Sequence, residues 1–193
     1  QTIADKPPRG ICGSGLLDII GELLDQGFID KTGAFKKEEE LSRRQQQRMT
    51  TFKEQRAFIV VSASESEGEK IILTQKDIRE FQLAKGAIAA GIQILVEEAG
   101  INYDLIDNVY LAGGFGNFIG AEAACKVGLI PAVLEDKIIR IGNGAGLGAK
   151  AYLLDQKQRQ TAVDFREVME YIELSTMPEF QSYYMENMML QSI

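Results

Sequence analysis

The sequence predicts an α/β fold, with a mixed β-sheet that carries helices on both of its faces. Three observations support this prediction: a hairpin pattern at residues 57–73, a long helical pattern after it, and two strand–turn–helix units further on. The strands of those two units are apolar and lie at residues 108–112 and 138–141. Alternating strands and helices are typical of a sheet covered by helices. Because both units have a glycine-rich turn after the strand, we expect the two turns at the same end of the sheet.

The first predicted element is a helix within residues 10–27, which read GICGSGLLDIIGELLDQG. Its leucines and isoleucines recur at the spacing of one helical face. Ser14 is expected to cap the start of this helix, and Gly27 fits a left-handed residue at its end.

Residues 32–56 are polar and charged, so we interpret them as a surface excursion that is partly helical. The next two segments, residues 57–63 and 70–73, are apolar and rich in β-branched side chains. The polar stretch SESEGE lies between them, and this arrangement predicts a β-hairpin.

A long helix is predicted next, from Thr74 to the stop at Gly100, and Thr74 with Asp77 resembles a capping box. Gly86 and Gly91 lie inside it and each cost about 1 kcal/mol relative to alanine, so another element is expected to approach closely there. The residues predicted to share its buried face are Ile78, Phe81, Ala84, Ile88, Ile92, Leu95 and Ala99.

Short helices are predicted after each glycine turn, at residues 119–127 and 145–155, and Asn117 is expected to cap the first of them. Further on, the sequence predicts a helix, a short strand from Tyr171 to Leu174 and a final amphipathic helix. The side chains of this last helix that we expect to face the core or a partner are Phe180, Tyr183, Tyr184, Met188 and Met189.

The composition excludes several classes of function. The formal net charge of −7 disfavours nucleic acid and anionic membranes as partners, because both need a basic protein surface. No apolar run reaches the roughly 18 residues that a membrane span needs. The chain begins with Gln, so we expect it to be a piece of a longer protein, and we expect that protein to be cytoplasmic.

Histidine is absent from the sequence, which removes the commonest metal ligand and general base. The two cysteines, Cys12 and Cys125, are too few for a four-cysteine zinc site or a complete iron–sulfur site. A disulfide between them stays open, although two buried thiols are the favoured interpretation. No metal site is therefore predicted within this chain.

Three glycine-rich turns, at residues 10–15, 113–116 and 142–148, precede predicted helices. Backbone N–H groups at a helix N-terminus bind phosphate, and glycine lets the phosphate approach. None of the turns has the Walker pattern or a full dinucleotide fingerprint. Each one alone fits a tight strand-to-helix connection, but three turns at one end of a sheet favour a ligand site.

These residues resemble a known family. The stretch VYLAGGFGNFI resembles the adenosine motif of the actin, sugar kinase and Hsp70 (ASKHA) superfamily. Together with RGICGSGLLDIIGELLDQGFID, ILTQKDIREFQLAKGAIAAGI and YIELS, it resembles the carboxy-terminal domain of reductive activators of corrinoid proteins. Such activators are iron–sulfur proteins that use ATP to help return cob(II)alamin to cob(I)alamin, so the resemblance implies a corrinoid protein as partner.

The resemblance also implies a ribonuclease-H-like mixed sheet that forms one lobe of an actin-like ATPase. Residues 1–156 would be the second lobe, including the excursion at residues 32–56, and residues 157–193 a carboxy-terminal extension packed on it. The β- and γ-phosphates, Mg²⁺ and the iron–sulfur cluster would be held by parts of the protein upstream of this chain. This chain would therefore supply about half of a nucleotide clamp.

The site residues follow from the same resemblance. The adenosine-side turn would be Gly113, Gly114, Phe115 and Gly116, and the second turn, near the hinge, would contain Gly142 and Asn143. Gln82 and Lys85 would flank the base and ribose, although an ordinary surface lysine is an equal alternative for Lys85. The first turn would contribute Gly13, Ser14 and Gly15. No catalytic residue is assigned.

Two other functions stay open at this stage. A small-molecule kinase of the same superfamily would need a catalytic carboxylate, for which Asp77 and Asp107 are the candidates. A non-enzymatic module would use its glycines for packing and its Tyr- and Met-rich residues 183–190 to form a homodimer.

Overall fold

The computed structural model describes Thr2, residues 6–66 and residues 68–193, and it confirms the predicted α/β class. The strands are β1 (Met49–Phe52), β2 (Gln55–Val61), β3 (Ile71–Thr74), β4 (Val109–Ala112) and β5 (Ile138–Gly142). The helices are α1 (Gly13–Asp25), α2 (Arg43–Gln46), α3 (Gln75–Glu98), α4 (Gly113–Gly116), α5 (Ala121–Lys126), α6 (Gly144–Leu154), α7 (Gln156–Val168) and α8 (Pro178–Glu186). None of the helices in the described ranges is long and apolar enough to cross a membrane.

The described strands pair in two groups. Strands β1, β2 and β3 form an antiparallel sheet in that order, and β4 pairs with β5 in parallel. The predicted hairpin is therefore confirmed as β2 and β3. Strand β1 was not predicted, because it lies inside the segment that was interpreted as a surface excursion.

The turn between β1 and β2 explains why that strand escaped prediction. Its two residues, Lys53 and Glu54, both have positive φ angles, of 47° and 65°. A two-residue hairpin turn with two positive φ angles is normally signalled by Asn-Gly or Asp-Gly. A Lys-Glu pair gives no such signal, so the sequence there resembles a charged surface run.

Helix α1 forms where it was predicted, but its cap differs. The N-cap residue is Cys12, whose Sγ accepts a hydrogen bond from the Gly15 N–H, and Ser14 is buried in the first turn. Gly27 has a φ of +70°, as predicted for the residue that ends this helix. The apolar side of α1 packs into the main core around Ile20, and Lys126 of α5 forms an ion pair with Asp25 of α1 at 2.5 Å.

The capping box that begins α3 is confirmed, because the Thr74 hydroxyl accepts from the Asp77 N–H while the Asp77 carboxylate accepts from Thr74. The predicted buried face is wrong for much of its length. Ala84, Ile88 and Leu95 are exposed, whereas the buried residues include Gln82, Lys85, Gly86, Ala89 and Ala90.

The element that approaches α3 is the carboxy-terminal segment. A Cβ added to Gly86 would lie 3.2 Å from the Met188 side chain and 3.2 Å from the Tyr184 carbonyl oxygen. Helix α8 packs along α3, so the predicted close approach is confirmed at Gly86. Small residues are buried here because the partner backbone itself comes close.

The strand predicted at Tyr171 to Leu174 does not form, and a single 3₁₀ turn, Leu174–Thr176, follows instead. Leu174 packs toward Gly91 of α3, where an added Cβ would be 3.4 Å from it. The last residues then return to the core. Leu190 is buried, its N–H donates to the Lys31 carbonyl at 2.7 Å, and the Ala132 N–H donates to the Ile193 carbonyl at 2.9 Å.

Candidate nucleotide site

The parallel pair β4 and β5 brings two of the glycine turns together. Ala112, the last residue of β4, lies beside Gly142, the last residue of β5. The turns at residues 113–116 and 142–148 therefore follow adjacent strand ends, as predicted. In sheets of this kind, the crevice beyond the carboxyl ends of the strands is where ligands bind.

The glycines in the turn after β4 differ in whether conformation or packing requires a glycine there. Gly113 has a φ of +89°, which only glycine adopts at little cost. A Cβ on Gly116 would lie 3.1 Å from the Leu111 carbonyl carbon, so a side chain there would press on the Leu111 backbone. Gly114 has neither constraint, since its φ is not positive and an added Cβ would meet nothing within 4 Å.

The glycines in the turn after β5 differ in the same way. Gly142 has a φ of +63°, and a Cβ on Gly144 would lie 3.3 Å from the Ala112 Cβ. Asn143 is the N-cap of α6, and its Oδ1 accepts from the Gly146 N–H at 2.9 Å. Gly148 resembles Gly114, because nothing within the described protein fills the space beside it. From the sequence, Gly148 was placed at the end of this turn but was not assigned to the site. The signal that could have found it is a glycine inside a predicted helix.

The first turn is built around a thiol. The Sγ of Cys12 lies 3.4 Å from the Ser14 Oγ and 3.4 Å from the Gly15 nitrogen. These hydrogen bonds, from Ser14 first and then from Gly15, hold the pKa of the exposed Cys12 thiol below its usual value. Gly13 begins α1, which also contacts α4, so this helix lies next to the turn after β4.

The structure places Lys85 and Gln82 away from open space. The Lys85 side chain is only 1% exposed, and its Nζ donates to the carbonyl oxygens of Asn187 at 2.5 Å and Met189 at 2.8 Å. Burial lowers the pKa of Lys85 to about 8. The Nε2 of Gln82 donates to the carbonyls of Thr32 at 3.0 Å and Met188 at 2.7 Å. Both side chains thus hold the carboxy-terminal segment on α3.

Two further residues, Phe115 and Asn117, lie in and just after the turn that follows β4. The backbone of Phe115 lies in α4, but its side chain lies outside the part that the structure describes. Asn117 does not cap α5 as predicted, because the N-cap is Gly120 and no side chain bonds there. The loop after α4 is instead held by Arg140 of β5, whose Nε and Nη2 donate to the Ile119 carbonyl at 3.0 and 2.7 Å.

The two carboxylates that a kinase could use are Asp77 and Asp107. Asp77 is used in the capping box of α3, where its Oδ2 accepts from the Thr74 N–H at 2.8 Å. Asp107 precedes Val109 and so lies at the amino end of β4, whereas the glycine turn lies at the carboxyl end. Within the described residues, no group of three or more His, Cys, Asp or Glu could hold a metal ion.

Both cysteines are free thiols with different surroundings. Cys12 is exposed, contrary to the interpretation of two buried thiols, and Cys125 is buried on α5. Burial, and to a smaller extent Glu135, raises the pKa of Cys125 to about 11. Cys125 is therefore an unreactive core residue at neutral pH.

A protein family and several known proteins resemble this chain. The profile of the family described as the C-terminal domain of RACo, the ASKHA domain, matches residues 1–193. The corrinoid activation enzyme RamQ of Eubacterium limosum is 40% identical over 192 residues, which cover 98% of this chain and 32% of RamQ. A [Co(II) methylated amine-specific corrinoid protein] reductase of Methanosarcina barkeri is 28% identical over 120 residues, covering 61% of this chain and 22% of that protein.

A solved structure has the same fold. The reductive activator for a corrinoid, iron–sulfur protein superposes with a TM-score of 0.88 and 30% sequence identity, covering all of this chain and 30% of that one. The chain thus spans about a third of the length of RamQ and of this solved relative, and less of the reductase.

Proposed function

The chain belongs to the family of the C-terminal domain of RACo, the ASKHA domain, and from this membership we propose that it supplies the adenosine side of an ATP site in a reductive activator of a corrinoid protein. The two adjacent glycine turns after β4 and β5 would face the nucleotide. ATP would drive the change of conformation that makes reduction of cob(II)alamin possible in the full-length protein.

One observation carries the proposal: neither the backbone conformation nor any contact within the described residues requires residue 114 to be glycine. Its backbone conformation tolerates a side chain, and an added Cβ would meet nothing within 4 Å. A glycine in a helical turn costs free energy relative to alanine. A ligand that lies against the backbone gives this glycine its physical reason, because any Cβ would occupy the space that the ligand needs.

The residues of this chain fit part of the nucleotide site only. Glycine turns at helix starts present N–H groups suited to a nucleotide's phosphate or to close contact with its sugar and base. The described residues offer no cluster for Mg²⁺ or iron, so the proposal assigns both to parts of the full-length protein outside this chain. Gln82 and Lys85 are left out of the site, because the carboxy-terminal segment uses their donors.

The proposal includes a corrinoid protein as partner and a cytoplasmic location. RamQ, the Methanosarcina reductase and the solved activator are each named for work on corrinoid proteins. Two free thiols fit a reducing compartment. The formal charge of −7 fits neither nucleic acid nor an anionic membrane surface.

The test uses the full-length protein and the substitution Gly114→Val. Titration calorimetry with ATP and ADP is expected to show a loss of affinity of at least about tenfold, which corresponds to about 1.4 kcal/mol. Ala99→Val, at the exposed C-cap residue of α3, is the control and should bind nucleotide normally. Equal affinities for both variants, with unchanged melting temperatures, would mean that the turn is structural.

Function is tested by adding ATP, a reductant and a corrinoid protein in the cob(II)alamin state. The absorbance of cob(I)alamin should appear only with ATP, and Gly114→Val should slow its appearance. ATP turnover that instead rises with a small acceptor molecule would favour the kinase alternative. That alternative has less support, since Asp77 caps a helix and Asp107 lies at the opposite end of β4.

A further inference from the structure

One side chain ties the loop after α4 to the neighbouring strand. Helix α4 is a single turn, and residues 117–120 connect it to α5. Among the described residues, the only side-chain hydrogen bonds to residues 113–120 come from Arg140 of β5. Its Nε and Nη2 donate to the Ile119 carbonyl oxygen at 3.0 and 2.7 Å. Hydrogen bonds from a charged donor are stronger than neutral ones, so this contact restrains the loop.

Arg140 also lies next to the second glycine turn. It precedes Gly142, the first residue of that turn, by two positions. The pairing of β4 and β5 becomes irregular here, because Leu111 lies opposite Arg140 whereas the next residue of β4 lies opposite Gly142. Ile141 is therefore an extra residue in β5, and such a bulge interrupts the regular ladder of hydrogen bonds. The contact from Arg140 to the loop thus connects the two turns a second time, where the ladder is interrupted.

We propose that Arg140 is the positioning residue of the nucleotide site, because its contact with Ile119 fixes the spacing of the turns at residues 113–116 and 142–148. Its guanidinium acts through the loop, since the Ile119 carbonyl already engages two of its nitrogens. This inference rests on the proposed function, in which both turns face one nucleotide. Without the contact, the turns have the correct spacing in only a fraction of the molecules. The apparent dissociation constant for ATP then rises in inverse proportion to that fraction.

A second arginine of this chain provides a matched control. Arg159 of α7 also uses its Nε and Nη2, which donate to the carbonyl oxygens of Tyr152 and Leu153 at 2.8 Å each. Both arginines are exposed, so substitution of either one by alanine opens no buried cavity. Arg159 binds the carboxyl end of α6, whereas the second glycine turn leads into the amino end of that helix. The two substitutions therefore remove the same kind of contact, but only one of them adjoins both turns.

The test uses the full-length protein with Arg140→Ala, Arg140→Lys and Arg159→Ala. Titration calorimetry should show that Arg140→Ala binds both ATP and adenosine about tenfold more weakly, whereas Arg159→Ala binds them as wild type does. Arg140→Lys keeps one donor and should recover part of the affinity. In ATP-dependent reduction of a corrinoid protein in the cob(II)alamin state, Arg140→Ala should raise KM for ATP and leave kcat within about twofold of wild type, because the contact affects binding alone.

Three results would overturn the inference. The first is an unchanged affinity in Arg140→Ala, and the second is an equal loss in both alanine variants, which would indicate a general loosening of the fold. The third is a loss for ATP without a loss for adenosine, because the guanidinium would then contact phosphate directly. Binding that is lost in Gly114→Val but kept in Arg140→Ala refutes the positioning role alone, whereas a wild-type protein that binds no ATP refutes the proposed function as well.

Discussion

Replacing Lys85 by methionine tests how the carboxy-terminal segment is held on α3. Lys85 is 1% exposed, and its ammonium group donates to the carbonyl oxygens of Asn187 and Met189. Methionine has nearly the same length and keeps the packing, but it removes both donors. The substitution therefore isolates the polar part of this contact.

Two opposing effects set the magnitude at neutral pH. Each buried carbonyl that loses its donor costs about 1–3 kcal/mol. Against this, the variant no longer buries a charge. One unit of pKa is worth about 1.4 kcal/mol, and burial lowers the pKa of Lys85 from 10.5 to about 8, so the charge costs the folded state up to about 3 kcal/mol. The two carbonyls together cost about 2–6 kcal/mol, so at pH 7 the net destabilisation lies between about −1 and 3 kcal/mol.

The pH dependence is the sharper prediction. Between pH 8 and 10.5 the unfolded chain binds the Lys85 proton more tightly than the folded chain, so the wild-type free energy of unfolding rises with pH. The Lys85→Met variant lacks this gain, and its deficit relative to wild type should grow by up to about 1.4 kcal/mol per pH unit above pH 8. The raised pKa values of Tyr103 and Tyr183 affect both proteins equally and cancel in the difference.

The measurement is urea unfolding followed by circular dichroism, at intervals from pH 7 to pH 9.5, for wild type and variant. Lys76→Met, at an exposed position in the first turn of α3, is the control and should show a constant difference from wild type. A difference for Lys85→Met that is also independent of pH would refute the reasoning. Such a result would mean that water reaches the ammonium group and that the carboxy-terminal segment does not cover it.

Three further predictions concern packing, thiols and iron. Gly86→Val should lower the free energy of unfolding by about 1–3 kcal/mol in urea melts, because its side chain would push against α8, whereas Ala84→Val on the exposed side of α3 should change it little. A disulfide reagent at pH 8 should label Cys12 rapidly and Cys125 only after unfolding, and two fast thiols would contradict the burial of Cys125. The isolated chain, purified under anaerobic reducing conditions, should contain no stoichiometric iron by elemental analysis, and a charge-transfer band would count against the assignment of the cluster to another part of the protein.

Local sequence signals predicted much of the candidate site. The apolar runs of β4 and β5 and the glycines after them were enough to predict that the two turns lie together. The reason is that a parallel pair places consecutive strand ends side by side. The capping box of α3 was also visible, since Thr74 and Asp77 interact within one turn. Which glycines serve conformation, packing or an open space could not be read from the sequence, because that distinction depends on distant atoms.

The two main errors have different causes. The buried side of α3 was assigned to its larger apolar residues, whereas α8 packs on the side that carries Gly86 and Lys85. The β1 strand was missed because its turn, Lys53–Glu54, lacks the usual residues for positive φ. The first error comes from a contact between segments far apart in the chain, whereas the second is local, because β1 and β2 are joined by that turn.

The sequence by itself determined the α/β class, the positions of most helices and strands, and the family, because these depend on periodicity, caps and short motifs. Only the tertiary structure decided that Lys85 and Gln82 bind the carboxy-terminal backbone and that Gly114 borders open space. The physical reason is that burial and free volume at a residue are set by what the rest of the chain places against it, and a linear pattern carries no record of that neighbour.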